Sequence, residues 1–357
     1  MAQVKTDPDL IPGGSQFVAA PPRLEESDAA AIAEHHFGLT GQCSLLTSER
    51  DQNFRLSCAD GSSYVLKITN PAEAEEITRA QVATLEHIAR RDPGLPVPRT
   101  VPTRDGEFAA SIKLPGGGVT RARIMTYLPG QQLRHAVQSR ALRCNIARMA
   151  ARLDRALSDL PHPGVAQDIL WDISETHRVR PLLSRIAGDE RRALAGVFLD
   201  RFCDHVLPQL HGLRRQFIHN DLNPYNIVVD PTRPEHPSGF LDFGDMVEAP
   251  LINELAVAAA YEDYAQPDWA ETLAAVISAY HEITPLTEAE LALLPDLIAA
   301  RQVLTVSITE WRAARYPENR DYILRNNAGA WTSLAALRGM ADGQLRDMVL
   351  TAVEARA

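Results

Sequence analysis

Apolar residues come in short runs between residues 40 and 128, whereas beyond residue 130 they recur every three or four positions over long stretches. The two regimes predict different elements, because alternation marks half-buried strands and a period near 3.6 marks amphipathic helices. "CSLLTS", "NFRLSC" and "SYVLKIT", separated by "ERDQ" and "ADG", read as a meander of three antiparallel strands. Ahead of them, "DAAAIAEHHFGL" reads as a short helix capped by Ser27 or Asp28. After them, "NPAEAEEITRAQVATLEHIARR" predicts a helix with Asn70 as its cap, Pro71 at its first position and Glu73 closing a capping box. "EFAASIKLPGGGVTRARIMTYL" predicts a hairpin that turns at Gly116, Gly117 and Gly118. Past a connector at Tyr127 to Gly130, helices are predicted over 135–159, 189–211, 249–264, 268–282, 287–316 and 328–355. Only "QFIHN", "NIVVD" and "SGFLDFG" interrupt them as strands. The pattern predicts an α+β protein: an irregular leader over 1–25, a small antiparallel sheet with one helix over 26–128, and a larger, mainly helical portion over 129–357.

Composition narrows the class. At 357 residues, 45% hydrophobic and 23% charged, the chain can bury two cores and lies far from a disordered composition. No apolar run approaches the length of a bilayer span, and "MAQVKTDPDLIPGG" has neither a basic n-region nor an apolar h-region, so a cytoplasmic protein with no membrane partner is expected. Cys43, Cys58, Cys144 and Cys203 lack CxxC spacing, which suggests neither a zinc site nor a disulfide framework. The net charge is −10, and from Pro234 to Ala300 there is no Lys or Arg at all, which makes nucleic acid an unsuitable partner. That acidic stretch reads either as solvated helix faces or as a field that attracts a cationic substrate. The chain has only three lysines, Lys5, Lys67 and Lys113, so a lysine inside the apolar strand "YVLKI" is unexpected. Burying it without an anion would be costly.

The candidate chemistry gathers in "FIHNDLNPYNIVVD", Phe217 to Asp230. If "NIVVD" and "GFLDF" pair as a hairpin, Asp221, Asn226 and Asp242 meet at one end of the ribbon. Two carboxylates and an amide oxygen suit a hard cation such as Mg²⁺, whose shell phosphate oxygens and water would complete. Phosphoryl transfer needs that cation and a carboxylate to orient the attacking hydroxyl.

His219-Asn220-Asp221-Leu222 followed by Asn226 matches the kinase catalytic-loop pattern H-x-D-L-x-x-x-N, and Asp242-Phe243-Gly244 matches D-F-G. In these motifs the sequence resembles the aminoglycoside phosphotransferase and choline kinase group of small-molecule kinases. With a further Asp after the D-F-G, it looks most like the branch of hydroxylysine kinase and type II homoserine kinases. The resemblance covers about residues 40 to 265 and implies a bilobal, protein-kinase-like fold whose first lobe binds nucleotide. It implies ATP or GTP as phosphoryl donor, Mg²⁺ as cofactor, and a small amine-bearing hydroxylated acceptor bound by a monomer or homodimer. An aminoglycoside-type antibiotic kinase and a catalytically weak pseudokinase used as a binding module are the alternatives.

Roles follow from the resemblance. Asp221 accepts the hydroxyl proton, Asn226 and Asp242 hold the metal, Lys67 steadies the α- and β-phosphates, and His219 braces the loop. The turn "TSERDQNF" stands where a Gly-rich loop would cover the phosphates, so Ser48, Arg50, Gln52 and Asn53 would supply those contacts. Backbone groups of Thr126, Tyr127 and Leu128 would read the base edge. The helix residue expected to face Lys67 is Gln81 rather than a glutamate, with Glu76 the nearest acid, which leaves the partner of Lys67 open. Asn220 stands where glycine is usual, and Asn tolerates a left-handed backbone. Asn223, Asp245, Glu248, Glu254, Tyr261, Trp311 and Arg315, with Glu262, Asp263, Arg312 and Tyr316 nearby, are the candidates for the substrate pocket.

Overall fold

The structure is a computed structural model that describes residues 21–48, 50–161, 167–341 and 343–354. Most of the expected leader and Lys5 therefore lie outside the described residues. The chain divides into two compact units: residues up to 129 with 160–168 and 238–241, and the remainder, 130–159, 169–237 and 242–357.

The first unit opens with α1 (Glu26–Ile32), which Glu25 and Asp28 cap reciprocally, so the helix starts earlier than Ser27 or Asp28 as caps would allow. The next three strands, β1 (Gly41–Leu46), β2 (Gln52–Cys58) and β3 (Ser63–Ile68), form the expected meander. Helix α2 spans Glu75–Arg91 with Ala74 at its cap, so it starts four residues later than Asn70 as its cap predicts. Asn70 is committed elsewhere: its amide N–H donates to Asp51, its side chain donates to the Arg50 carbonyl, and its Oδ1 accepts from Ala72 N. Three short elements complete the unit's first segment, β4 (Thr100–Val101), β5 (Ala110–Lys113) and β6 (Val119–Thr126). The antiparallel sheet runs β1-β2-β3-β6-β4, with β5 also on β6.

Alternation along these strands sorts the residues by face. Phe54, Leu56, Leu66, Ile68, Ala122 and Ile124 join Ala29, Ala33 and Phe37 in one buried cluster. Asn53, Lys67 and Arg123 lie directly opposite one another across β2, β3 and β6, on positions between those core residues. The period of two that puts Leu66 and Ile68 in the core thus places Lys67 on the other face, in a row of polar groups.

In the remaining chain, β7 (Gln131–Gln132) precedes α3 (Arg140–Leu157), whose cap Ser139 accepts from Leu142 N. A 3₁₀ run over Ile173–Arg185, which the pattern did not suggest, leads to α4 (Asp189–Arg201). Strands β8 (Arg215–Ile218), β9 (Ile227–Val229), β10 (Pro237–Phe240) and β11 (Val247–Pro250) follow, with β7 on β9 and β11 on β8. Strand β11 displaces the start of the predicted helix, so α5 covers only Ile252–Ala259. The last helices are α6 (Trp269–His281), α7 (Glu288–Arg315), α8 (Arg320–Ile323), α9 (Asn327–Gly339) and α10 (Gln344–Glu354). One helix was predicted where α9 and α10 stand; Met340 is extended and Gly343 left-handed, which separates them. Helix α10 covers its own unit, burying Leu345, Val349 and Val353.

Helix α7 corrects one expectation. Its length and composition would suffice to cross a membrane, yet 83% of its most apolar 18-residue window is buried inside the protein. Its mixture of Ala, Leu, Val and Thr is that of a central core helix, with Trp311 inward and Arg301 buried midway along it.

Candidate active site

The β8–β11 ladder assembles the candidate catalytic loop. Ile218 pairs with Val247, so the residues that leave β8, His219 to Asp221, run beside those that enter β11, Asp245 and Met246. The Asn220 side chain donates to the Asp245 carbonyl at 3.2 Å, a direct tie between the two motifs. This ladder adds to the expected approach of "NIVVD" and "GFLDF", because the sequence pattern read the β11 region as helix.

Each member of the loop has a definable task. His219 is fully buried, packs edge-on against Phe243 with ring centroids 4.7 Å apart, and accepts the Asp221 amide N–H at Nδ1. Asn220 has φ 64°, left-handed, and donates its N–H to Glu254 Oε2 at 2.8 Å. Glu254 is completely buried; burial pushes its carboxyl pKa up, against the His219 ring and the Asn220 amide, which favour the carboxylate. Glu254, expected as a substrate contact, is enclosed and props the loop's backbone. Asn220→Gly should stay within about 1 kcal/mol of the parent, because it relieves the left-handed backbone but gives up one hydrogen bond. Asn220→Val should lose about 2 kcal/mol or more. Urea denaturation of both variants checks this, and equal stability of Val and Asn would contradict the backbone assignment.

Asp221 is the hub. Its Oδ1 accepts from Asn223 Nδ2 at 2.9 Å and from Arg301 Nη2 at 3.3 Å, and its Oδ2 accepts from Asn226 Nδ2 at 2.6 Å. Burial and the neighbouring Asp245 charge push its pKa up to about 7, Arg301 and Asn223 pull it down, and Asp242 adds to the rise. A carboxyl held near neutrality is suited to accept and release a proton at physiological pH. Asn226 donates its Nδ2 to Asp221, which turns its amide oxygen away from that carboxylate. Asp242 is exposed, left-handed at φ 55°, with Oδ1 accepting from Gly244 N. Asn223 is 7% exposed and ties the turn through the Tyr225 amide, so turn formation accounts for it.

Arg301 escaped the sequence reading. It is 1% exposed in the middle of α7, stacks over Trp171 at 5.0 Å, and donates to the Trp171 carbonyl, the Tyr261 hydroxyl and Asp221. A lone guanidinium inside "LIAARQVLTVSI" carries the same signal that singled out Lys67 in its strand. Of the pocket candidates, Tyr261 stands beside Arg301, and Asp245 is close enough for its charge to act on Asp221. Glu262 pairs with Arg143, and with Tyr261, Leu222 and Pro224 it lines one small cavity. Glu248 is exposed on β11. Trp311 is packed at 4% exposure, and Arg315, bonded to the Tyr316 hydroxyl, lies fourteen residues beyond Arg301, about 21 Å along the helix axis. The structure does not bring Trp311 or Arg315 to Asp221.

The first unit holds the other candidates. Lys67 Nζ pairs with Asp51 Oδ2 at 2.7 Å, with the two side chains 12% and 7% exposed. Gln81 accepts instead from Arg123. Gln52 makes two hydrogen bonds of 2.8 Å to the backbone of Leu24, which engages it with the chain before α1. Asn53 Oδ1 is buried, with no hydrogen-bond partner among the described residues. Ser48 and Arg50 are partly exposed in the turn, and the Arg50 carbonyl is taken by Asn70. The Thr126 and Tyr127 amides already donate to Arg99 and Ser63, and Arg55 stacks over the Tyr127 ring at 4.3 Å.

These parts can be compared with known proteins. Hydroxylysine kinase of Danio rerio is 26% identical over 313 residues, covering 85% of this chain and 88% of its own. Two solved structures share the fold. A microcompartment-associated aminopropanol kinase superposes with a TM-score of 0.68 at 18% identity, over 91% of this chain and 99% of that one. Amicoumacin kinase hAmiN, in complex with AMP-PNP, Ca²⁺ and Ami, gives 0.64 at 17% identity, over 85% of this chain and 93% of that one. The antiparallel sheet followed by a helical portion is accordingly a protein-kinase-like α+β fold. The model of the phosphotransferase enzyme family matches residues 43–294, a span that contains Lys67, Asp221, Asn226 and Asp242 but stops short of Arg301, and the chain belongs to that family.

Proposed function

We propose that this protein is a divalent-metal-dependent kinase that transfers the γ-phosphoryl group of ATP or GTP to the hydroxyl of a small amino alcohol or hydroxy amino acid. The observation that carries the reading is the hub at Asp221: one carboxylate, near neutrality, positioned by Asn223, Asn226 and Arg301. Asp221 would accept the hydrogen bond of the acceptor hydroxyl, aim its oxygen at the phosphorus and take its proton as the bond forms. Arg301 offsets the repulsion among Asp221, Asp242 and Asp245 and keeps Asp221 aimed. Lys67 would hold the α- and β-phosphates, and Leu128 with nearby carbonyl oxygens would read the base edge.

The donor set fits a hard cation. Asn226 and Asp242 offer oxygen ligands, and among the described residues no three His, Cys, Asp or Glu side chains form a metal cage of their own. Two protein oxygens completed by phosphate and water match the habit of Mg²⁺. When bound, the cation neutralises charge on the phosphates and orients them for in-line transfer.

Hydroxylysine and aminopropanol, the acceptors in the names of two relatives, both join an amine to a hydroxyl, which supports the amino-alcohol class. Asp245 and the acidic stretch from Pro234 to Ala300 would favour that ammonium. The binding-module alternative rested on Gln81 leaving Lys67 without an acid, and Asp51 supplies one. The test is nucleotide consumption with hydroxylysine, aminopropanol, ethanolamine, homoserine, choline and an aminoglycoside, each with ATP and with GTP. Turnover is expected with a primary amino alcohol. Tight nucleotide binding without turnover on any of them would favour the binding module, and preferred turnover of the aminoglycoside the antibiotic kinase.

A further inference from the structure

A buried ammonium needs a fixed counter-charge, and where that charge comes from decides what controls the lysine. Here it comes from the turn between β1 and β2. Asp51 is locked at both oxygens: Oδ1 accepts the Asn70 amide N–H at 2.8 Å, and Oδ2 meets Lys67 Nζ at 2.7 Å. Asn70 is in turn fixed by its side-chain bond to the Arg50 carbonyl, which closes the turn on β3. Burial alone would raise the Asp51 pKa, but the Lys67 charge and hydrogen bond, the Asn70 amide and Arg123 more than reverse this, so it is a carboxylate at neutral pH. Helix α2, the usual source of a lysine's acid in this fold, offers Gln81, and that residue is engaged by Arg123, the direct cross-strand neighbour of Lys67.

We infer that Asp51 is the positioning residue for Lys67, so that the turn over the phosphates sets the lysine's direction. This rests on the reading of Lys67 as the phosphate-holding lysine. With Asp51 holding the ammonium from the turn, the long side chain arrives at the phosphates with its rotamer already chosen. In protein kinases, by contrast, a helix glutamate must swing into place to meet the lysine.

Asp51→Asn is nearly isosteric and keeps an acceptor for the Asn70 amide while removing the charge. Titration of the full chain with MgATP and with MgGTP should show affinity for the preferred nucleotide reduced about 10- to 100-fold in Asp51→Asn. Lys67→Met should show a loss at least as large, and the double variant should bind no more weakly than Lys67→Met alone, since Asp51 acts through the lysine. Asp51→Glu, which restores the charge on a longer arm, should recover part of the affinity and serves as the test if Asp51→Asn fails to fold. Wild-type affinity in Asp51→Asn, or losses that multiply in the double variant, would overturn the inference. Undiminished binding in Lys67→Met would instead locate the failure in the reading of Lys67 itself.

Discussion

Replacement of Asp221 by Asn is expected to reduce turnover by about 10²- to 10⁴-fold and to leave nucleotide affinity within a few fold of the parent. Two effects act together. The amide cannot take the hydroxyl proton, and it also cannot satisfy its surroundings. Both carboxylate oxygens of Asp221 accept, Oδ1 from Asn223 and Arg301 and Oδ2 from Asn226, so an Asn at this position must turn an N–H toward at least one donor. Part of the loss would therefore come from a disturbed loop. Steady-state rates and nucleotide titration on the same preparation separate chemistry from binding, with thermal melting as the check on the fold. Turnover within tenfold of the parent would remove Asp221 as the proton acceptor.

Asp242→Asn should produce the second large effect, a fall in turnover on the order of 10²- to 10³-fold accompanied by a higher Mg²⁺ requirement. The exposed Asp242 side chain accepts the Gly244 amide N–H, a bond that an Asn oxygen can keep. The left-handed backbone at 242 is also one that Asn adopts readily, so local structure should survive. What is lost is a full negative charge from the metal's ligand set, a loss that added Mg²⁺ should partly restore. Activity measured as a function of Mg²⁺ checks this, and an unchanged Mg²⁺ dependence would reassign Asp242 to a purely structural role.

Much of the fold and of the candidate site could be read from the sequence, for different reasons. The three-strand meander was legible because alternation in "NFRLSC" and "YVLKI" is a local property of the pleat. Lys67 was legible for the same reason: period two sends it to the face opposite Leu66 and Ile68, where a lysine is out of place unless something anionic meets it. Arg301 carried the same signal, which the charged and aromatic end of its helix, at Trp311 to Tyr316, outweighed. The turns around Arg301 carry no other charge, so this guanidinium reads as incidental until Trp171 and Asp221 are placed beside it. The start of α2 was misplaced because Asn70, Pro71 and Glu73 satisfy a helix-cap pattern locally, while Asp51, nineteen positions away, claims Asn70 first.

By itself the sequence determined the β-rich first portion and helical second portion, the spacing of Asp221, Asn226 and Asp242, and thereby the class of chemistry, since these are matters of short-range periodicity and motif. Tertiary structure alone decided which charges meet. It was the pairing of Ile218 with Val247 that brought Asp245 to the catalytic loop, the turn of the chain at Asn70 that set Asp51 on Lys67, and the course of α7 that placed Arg301 against Asp221. The reason is physical. A buried charge is stabilised by whichever opposite charge or donor the fold places within about 3 Å, and such neighbours come from distant segments whose separation no local pattern encodes.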